Sequence, residues 1–128
     1  MAGAQVSAVV GIGCRAGASV EAIVSLAREA FARAGVERAP LHAASRICNP
    51  ALAQAAARLG VALHWHDEAS LARAASRVVS HSPRVAAIFG VGSVAEAAAL
   101  AGAGEDARIV APKFSADGVS CAVAMGAA

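Results

Sequence analysis

Within residues 5–35 an apolar run, a glycine-broken turn and an amphipathic stretch follow one another without a gap. Gln5–Gly11 predicts a strand that is apolar on both faces, as in the middle of a covered sheet. Gly11-Ile12-Gly13-Cys14-Arg15-Ala16-Gly17 then reads as a tight loop. Ser19 suits an N-cap, with Glu21 in the first turn. Ala22, Ile23, Leu26, Ala27, Ala30 and Phe31 follow at helical spacing, and Gly35 stops the helix. A strand that hands over at once to a helix is half of a parallel crossover unit, which restricts the fold to a few arrangements.

The same alternation continues. Leu41–Ser45 predicts a short strand, and Asn49-Pro50 opens a helix with asparagine as cap and proline at its first position. Leu52, Ala55, Ala56 and Leu59 form its apolar face, and Gly60 ends it. Val61–Trp65 is a third strand. Asp67 or Ser70 caps a helix through Leu71, Ala74, Ala75, Val78 and Val79, and a short helix starts at Ser82-Pro83. Gly90-Val91-Gly92 breaks the chain, Ser93-Val94-Ala95-Glu96 has the pattern of a reciprocal capping box, and Ala97–Ala101 continues that helix. Arg108–Ala111 and Val119–Met125 are strands joined by a turn over Phe114–Gly118, where Asp117-Gly118 is the strongest signal. The expected fold class is α/β: one domain over residues 1–128. Its three α/β/α layers enclose a mixed, mostly parallel sheet of about five strands that ends in an antiparallel hairpin.

Composition narrows the function. Hydrophobic residues make up 58% of the chain and aromatics 3%, so the core is aliphatic and alanine-rich. One Trp, three Phe and no Tyr leave few platforms for stacking bases, and a net charge of +2 demands no polyanion, so nucleic acid is not an expected partner. Cys14, Cys48 and Cys121 are widely spaced and fit reduced thiols. The apolar opening Val6–Ile12 is too short to span a membrane and lacks the basic start of a signal peptide; a cytoplasmic location without membrane association is expected.

Candidate ligand-binding residues cluster at strand ends, where open α/β sheets keep their sites. Gly11 and Gly13 let a ligand approach the backbone. Successive N–H groups of that loop can form an anion nest, and the following helix adds its positive end. Arg15 can pair with a carboxylate or phosphate. Cys14 is either a buried small residue or a thiol activated by Arg15 and the helix. Gly90 and Gly92 precede a second helix N-terminus, at Ser93. Ser45 and Arg46 end the second strand, with Asn49 a helix cap or a ligand contact, and Lys113 follows Pro112 near a strand end. His64 and His66 point to one face of a strand, but no third ligand stands at a supporting spacing, so neither a metal nor a cofactor is expected. His42 and His81 stand alone in the sequence and receive no role.

Val10-Gly11-Ile12-Gly13-Cys14-Arg15-x-Gly17, Pro50-x-Leu52, Gly92-Ser93-Val94-x-Glu96-Ala97-Ala98-Ala99-Leu100 and Pro112-Lys113 together resemble the CobE/CbiG C-terminal domain family of cobalamin biosynthesis. The resemblance runs from about Gln5 to Met125. The length is similar to that of the free-standing CobE branch, since the CbiG branch carries the domain behind others. Two departures stand out. Ala16-Gly17-Ala18-Ser19 replaces the family's Arg-Gly-Thr/Ser step. Ser45, Arg46, Asn49 and Pro50 match a Thr, Lys-x-x-Glu-Pro pattern, with an amide where the family has an acid. The resemblance implies a role in the aerobic corrin pathway. Arg15, Arg46 and Lys113, with the helix N-termini after Gly13 and Gly92, are expected to gather along one rim of the sheet around a shared hollow, and these anion-holding points make the leading expectation a protein that binds or hands on a precorrin- or hydrogenobyrinate-type intermediate. Two alternatives stay open: a lactone or acyl hydrolase using Cys14 or a histidine, and a scaffold for other pathway enzymes.

Overall fold

The chain order is β1 (Val6–Cys14), α1 (Val20–Ala34), β2 (Leu41–Ala44), α2 (Pro50–Leu59), β3 (Leu63–His66) and α3 (Glu68–Ala74), which runs into a 3₁₀ turn over Ala75–Arg77. Then come α4 (Val94–Ala103), β4 (Arg108–Ala116) and β5 (Val119–Ala127). The structure is a computed structural model and describes residues 6–46, 49–83 and 93–127. The helix expected after Ser82-Pro83 and the Gly90-Val91-Gly92 break fall almost wholly outside the described residues.

The strands form a five-stranded mixed sheet in the order β3-β2-β1-β5-β4. β1 pairs in parallel with β2, and β2 with β3, while β5 lies antiparallel between β1 and β4. Four strands therefore point one way and β5 alone runs against them. α1 and α2 cover one face, and α3 and α4 the other, which gives the expected three α/β/α layers.

β1 does not stop at Gly11. It pairs with β5 from Val6↔Ala127 to Cys14↔Val119, so Gly11 and Gly13 are strand residues and the loop begins only at Arg15. Alternate residues of β1 serve different layers. Val10 and Ile12 are fully buried with Ile23, Leu26 and Phe31 of α1 and Leu52 of α2. On the opposite side Gly11 leaves room for α4, because a Cβ there would meet the backbone of Ala95 and Ala99. Every residue from Val94 to Leu100 is buried. Such a helix has no solvent face and therefore no amphipathic period. Alanines let it lie close on the sheet.

Ile12, Ile23, Leu41, Leu52, Leu71 and Leu100 are the larger apolar side chains with no exposure to speak of; truncating one of this kind to alanine costs about 2–5 kcal/mol. The helix ends follow the sequence signals. Ser19 Oγ accepts from the Ala22 N–H at 3.1 Å, and Asn49 Oδ1 from the Ala51 N–H at 2.9 Å. Asp67, not Ser70, caps α3: its Oδ1 accepts from the Ser70 N–H at 2.8 Å. α3 ends earlier than expected, and Val78 is already extended. The hairpin is longer than expected, and β4 reaches Ala116. Its turn is the two residues Asp117 (φ 53°) and Gly118 (φ 80°), both in the left-handed region that two-residue hairpin turns require. Among the described residues no helix is long and apolar enough to cross a membrane.

Candidate functional site

The carboxyl end of β1, the first turn of α4 and the β4–β5 turn surround a hollow of about 430 Å³. Gly13, Cys14 and Val119 contribute strand-end floor, and Ser93, Val94 and Ala95 bring the N-terminus of α4 to its wall. Arg15 and Lys113 both line it. The sequence placed neither Asp117 nor the serine pair Ser115 and Ser120 there, yet all three line it, and the two serine hydroxyls share a 2.6 Å hydrogen bond.

Arg15 is set by the loop's hydrogen bonds. Its N–H donates to the Gly118 carbonyl at 2.9 Å, which ties the end of β1 to the hairpin turn. Its side-chain stem runs beside Gly118, where a Cβ would stand 3.3 Å from Arg15 Cδ. Asn49 holds the loop from the other side, donating from Nδ2 to the carbonyls of Arg15 (3.0 Å) and Ala16 (3.3 Å) while it caps α2. Part of the loop's N–H supply is already committed. The Arg15 N–H is taken, the Ala18 N–H donates to the Arg15 carbonyl, and no residue of the loop has a positive φ. The helix end that faces the hollow is that of α4, not α1.

Lys113 lies in an irregular stretch of β4. Ala111 pairs with Val123 and Phe114 with Cys121, so Pro112 and Lys113 together stand opposite Ala122. The Lys113 N–H is thereby freed from the ladder, and it donates to Glu96 Oε2 at 2.9 Å. Glu96 forms only half of the expected capping box. Its N–H donates to Ser93 Oγ at 3.2 Å, but its carboxylate turns away from the helix start. Oε1 accepts instead from the N–H groups of Val79 (2.7 Å) and Ser80 (2.8 Å). The expected helix reaches Val79, but the N–H groups of Val79 and Ser80 bond this carboxylate instead of helix carbonyls. Burial opposes the charge on Glu96, but hydrogen bonds from the Ser80 hydroxyl and the N–H groups of Lys113, Ser80 and Val79 outweigh it and hold the carboxyl below its ordinary range. The sequence signal for this was a single acid inside a helix too apolar to have an exposed face.

Arg46 and Ser45 do not join this hollow. They line a second one of about 460 Å³ at the ends of β2 and β3, together with His66, Asp67 and Glu68. Arg46 Nη1 meets Glu68 Oε1 at 2.9 Å. The expectation of three cations around one hollow is thus corrected to two. The edge is common to all three, but the β2 and β3 ends have a hollow of their own. Gly90 and Gly92 lie outside the described residues.

Cys14 is half-buried. Burial pushes its thiol up, and a 3.5 Å hydrogen bond from Asn49 only partly offsets this. Burial thus disfavours the thiolate, contrary to activation by Arg15, and among the described residues no histidine lines the hollow. The histidines gather elsewhere. The β2–β3 register sets His42 opposite His64 and brings His42 Nδ1 within 2.7 Å of His66 Nε2. The ring of His42 stacks on those of His64 and His66, and His66 Nδ1 bonds the Ser70 hydroxyl at 3.0 Å. Among the described residues no group of three His, Cys, Asp or Glu has the arrangement of a metal site.

Residues 8–124 match the family model described as cobalamin synthesis G C-terminus. Protein CobE of Sinorhizobium sp is 36% identical over 110 residues, covering 83% of this chain and 71% of the relative. The crystal structure of CobE, a protein from the cobalamin (vitamin B12) biosynthetic pathway, superposes with a TM-score of 0.85 at 32% identity, covering 94% of this chain and 91% of that one. The cobalamin biosynthesis protein chiG from Agrobacterium tumefaciens str. C58 gives 0.72 at 34% identity, covering 93% and 98%.

Proposed function

The chain belongs to the cobalamin synthesis G C-terminus family, and on that premise we propose that it binds a precorrin- or hydrogenobyrinate-type intermediate at the end of β1 and hands it on within the pathway. Such intermediates carry acetate and propionate groups around an apolar ring. The observation that carries the reading is that Arg15 and Lys113 line one hollow together with the N-terminus of α4. Each cation can form charge-assisted hydrogen bonds with a peripheral carboxylate, and the helix end adds a further favourable field. Gly13, Val94, Ala95 and Val119 offer small apolar surface to the ring. The volume lies within the range of about 300–1,000 Å³ usual for small-molecule sites, and suits one edge of a macrocycle rather than its whole body. An edge-on grip leaves the remaining rim of the ligand accessible to a partner enzyme, as transfer requires.

Holding without turnover is favoured over the hydrolase reading because Cys14 is a half-buried thiol whose burial disfavours the thiolate, and among the described residues no histidine lines the hollow beside it. Expression together with the upstream pathway enzymes tests the proposal. The protein is expected to purify coloured, and a variant carrying both Arg15→Ala and Lys113→Ala to purify colourless. A colourless wild-type protein from cells that accumulate the pigment contradicts it.

A further inference from the structure

Glu96 is a carboxylate with 0% exposure inside an otherwise apolar helix. Burying such a group is unfavourable unless all its lone pairs are engaged. Alanine at this position would continue α4 without that cost. What the carboxylate holds is specific. Oε2 takes the Lys113 N–H, and Oε1 takes those of Val79 and Ser80. Lys113 sits where two residues of β4 face one of β5, an arrangement that re-aims side chains. Pro112 beside it has no N–H to offer the ladder.

We infer that Glu96 is a positioning residue for the hollow: by accepting the Lys113 N–H it pins the β4 bulge and keeps the Lys113 side chain at the rim. This rests on the binding reading above. The carboxylate does not touch the ligand; it acts through Lys113. α4 therefore contributes twice, with its N-terminus at the wall and with a side chain that holds Lys113.

Glu96→Gln separates the two halves of this tether. The amide oxygen can keep accepting from Val79 and Ser80, while its NH₂ group then faces the Lys113 N–H, donor against donor. Hydrogen exchange of the Lys113 amide is expected to speed up by at least about tenfold, more than that of Val79. Affinity for hydrogenobyrinic acid, followed by its absorption spectrum, is expected to fall about tenfold. Lys113→Ala lowers it similarly, and adding Glu96→Gln to Lys113→Ala changes nothing more, since both act through one side chain. Unchanged affinity in Glu96→Gln, or losses that multiply in the double variant, overturns the inference. If Glu96→Gln does not fold, the wild-type amides decide. A Lys113 amide that exchanges far more slowly than that of the exposed Asp117 supports the tether, and one that exchanges as fast overturns it. If the wild-type protein does not bind the probe at all, the binding reading fails, and the amide comparison still judges the tether by itself.

Discussion

Gly11 of β1 and Ala95 of α4 meet backbone to backbone: a Cβ at Gly11 would stand 1.8 Å from the Ala95 carbonyl oxygen and 2.6 Å from the Ala99 nitrogen. Because the obstacle is main chain, no rotamer change relieves it. The close approach is also what brings the first turn of α4 to the hollow beside Cys14.

Gly11→Ala is therefore expected to destabilise the protein by about 3 kcal/mol or more, at the upper end of overpacking costs. Gly17→Ala is the control, since nothing lies within 4 Å of a Cβ there, and it should shift stability by no more than about 0.5 kcal/mol. Urea denaturation of both variants checks this. Equal midpoints would show that α4 does not press on β1.

The histidine stack makes stability depend on pH. Burial, with the neighbouring His66 and His64, lowers His42 from 6.5 to about 4, and burial also lowers His66. The unfolded chain takes up the proton first, so this stabilisation is present above pH 6.5 and fades as the pH falls towards 4. His42 is only 7% exposed, and its share is on the order of 3 kcal/mol. Denaturant midpoints should drop steeply across that range in the wild type and less steeply in His42→Asn. Parallel slopes would remove His42 as the cause.

Thiol reactivity follows from burial. Cys14 is raised by desolvation, and Cys121, 0% exposed beneath α1, more strongly. Alkylation by iodoacetamide near neutral pH, mapped by mass spectrometry, should be at least about tenfold slower at Cys14 than for a free thiol, and slower again at Cys121. Fast labelling of Cys14 would restore the nucleophile reading.

Much of the fold was legible because its signals are local. The alternation of apolar runs with amphipathic stretches, the caps Ser19 and Asn49 and the Asp117-Gly118 turn all lie within a few residues of what they control. The strand signal stops short at Gly11 because glycine normally punctuates, whereas Gly11 and Gly13 both pair with β5 and Gly11 admits α4. The site was less legible because it depends on strand order. Arg15 and Lys113 share a hollow only because β5 sits between β1 and β4, and Arg46 is left out because β2 lies on the other side of β1. From sequence the Glu96 carboxylate has only its own helix end to serve, because its partners Val79, Ser80 and Lys113 are distant in sequence. The pairing of His42 with His66 likewise needed the β2–β3 register.

The central claim is that Arg15 and Lys113 jointly grip a carboxylate-fringed ring. Spectrophotometric titration with hydrogenobyrinic acid tests it most directly. Wild-type protein should give a saturable spectral shift, Arg15→Ala and Lys113→Ala should each weaken binding about tenfold, and the double variant about a hundredfold. Arg46→Ala, in the separate hollow, should bind like the wild type. A wild-type protein that leaves the spectrum unchanged, or a double variant that binds as tightly as the wild type, would contradict the account.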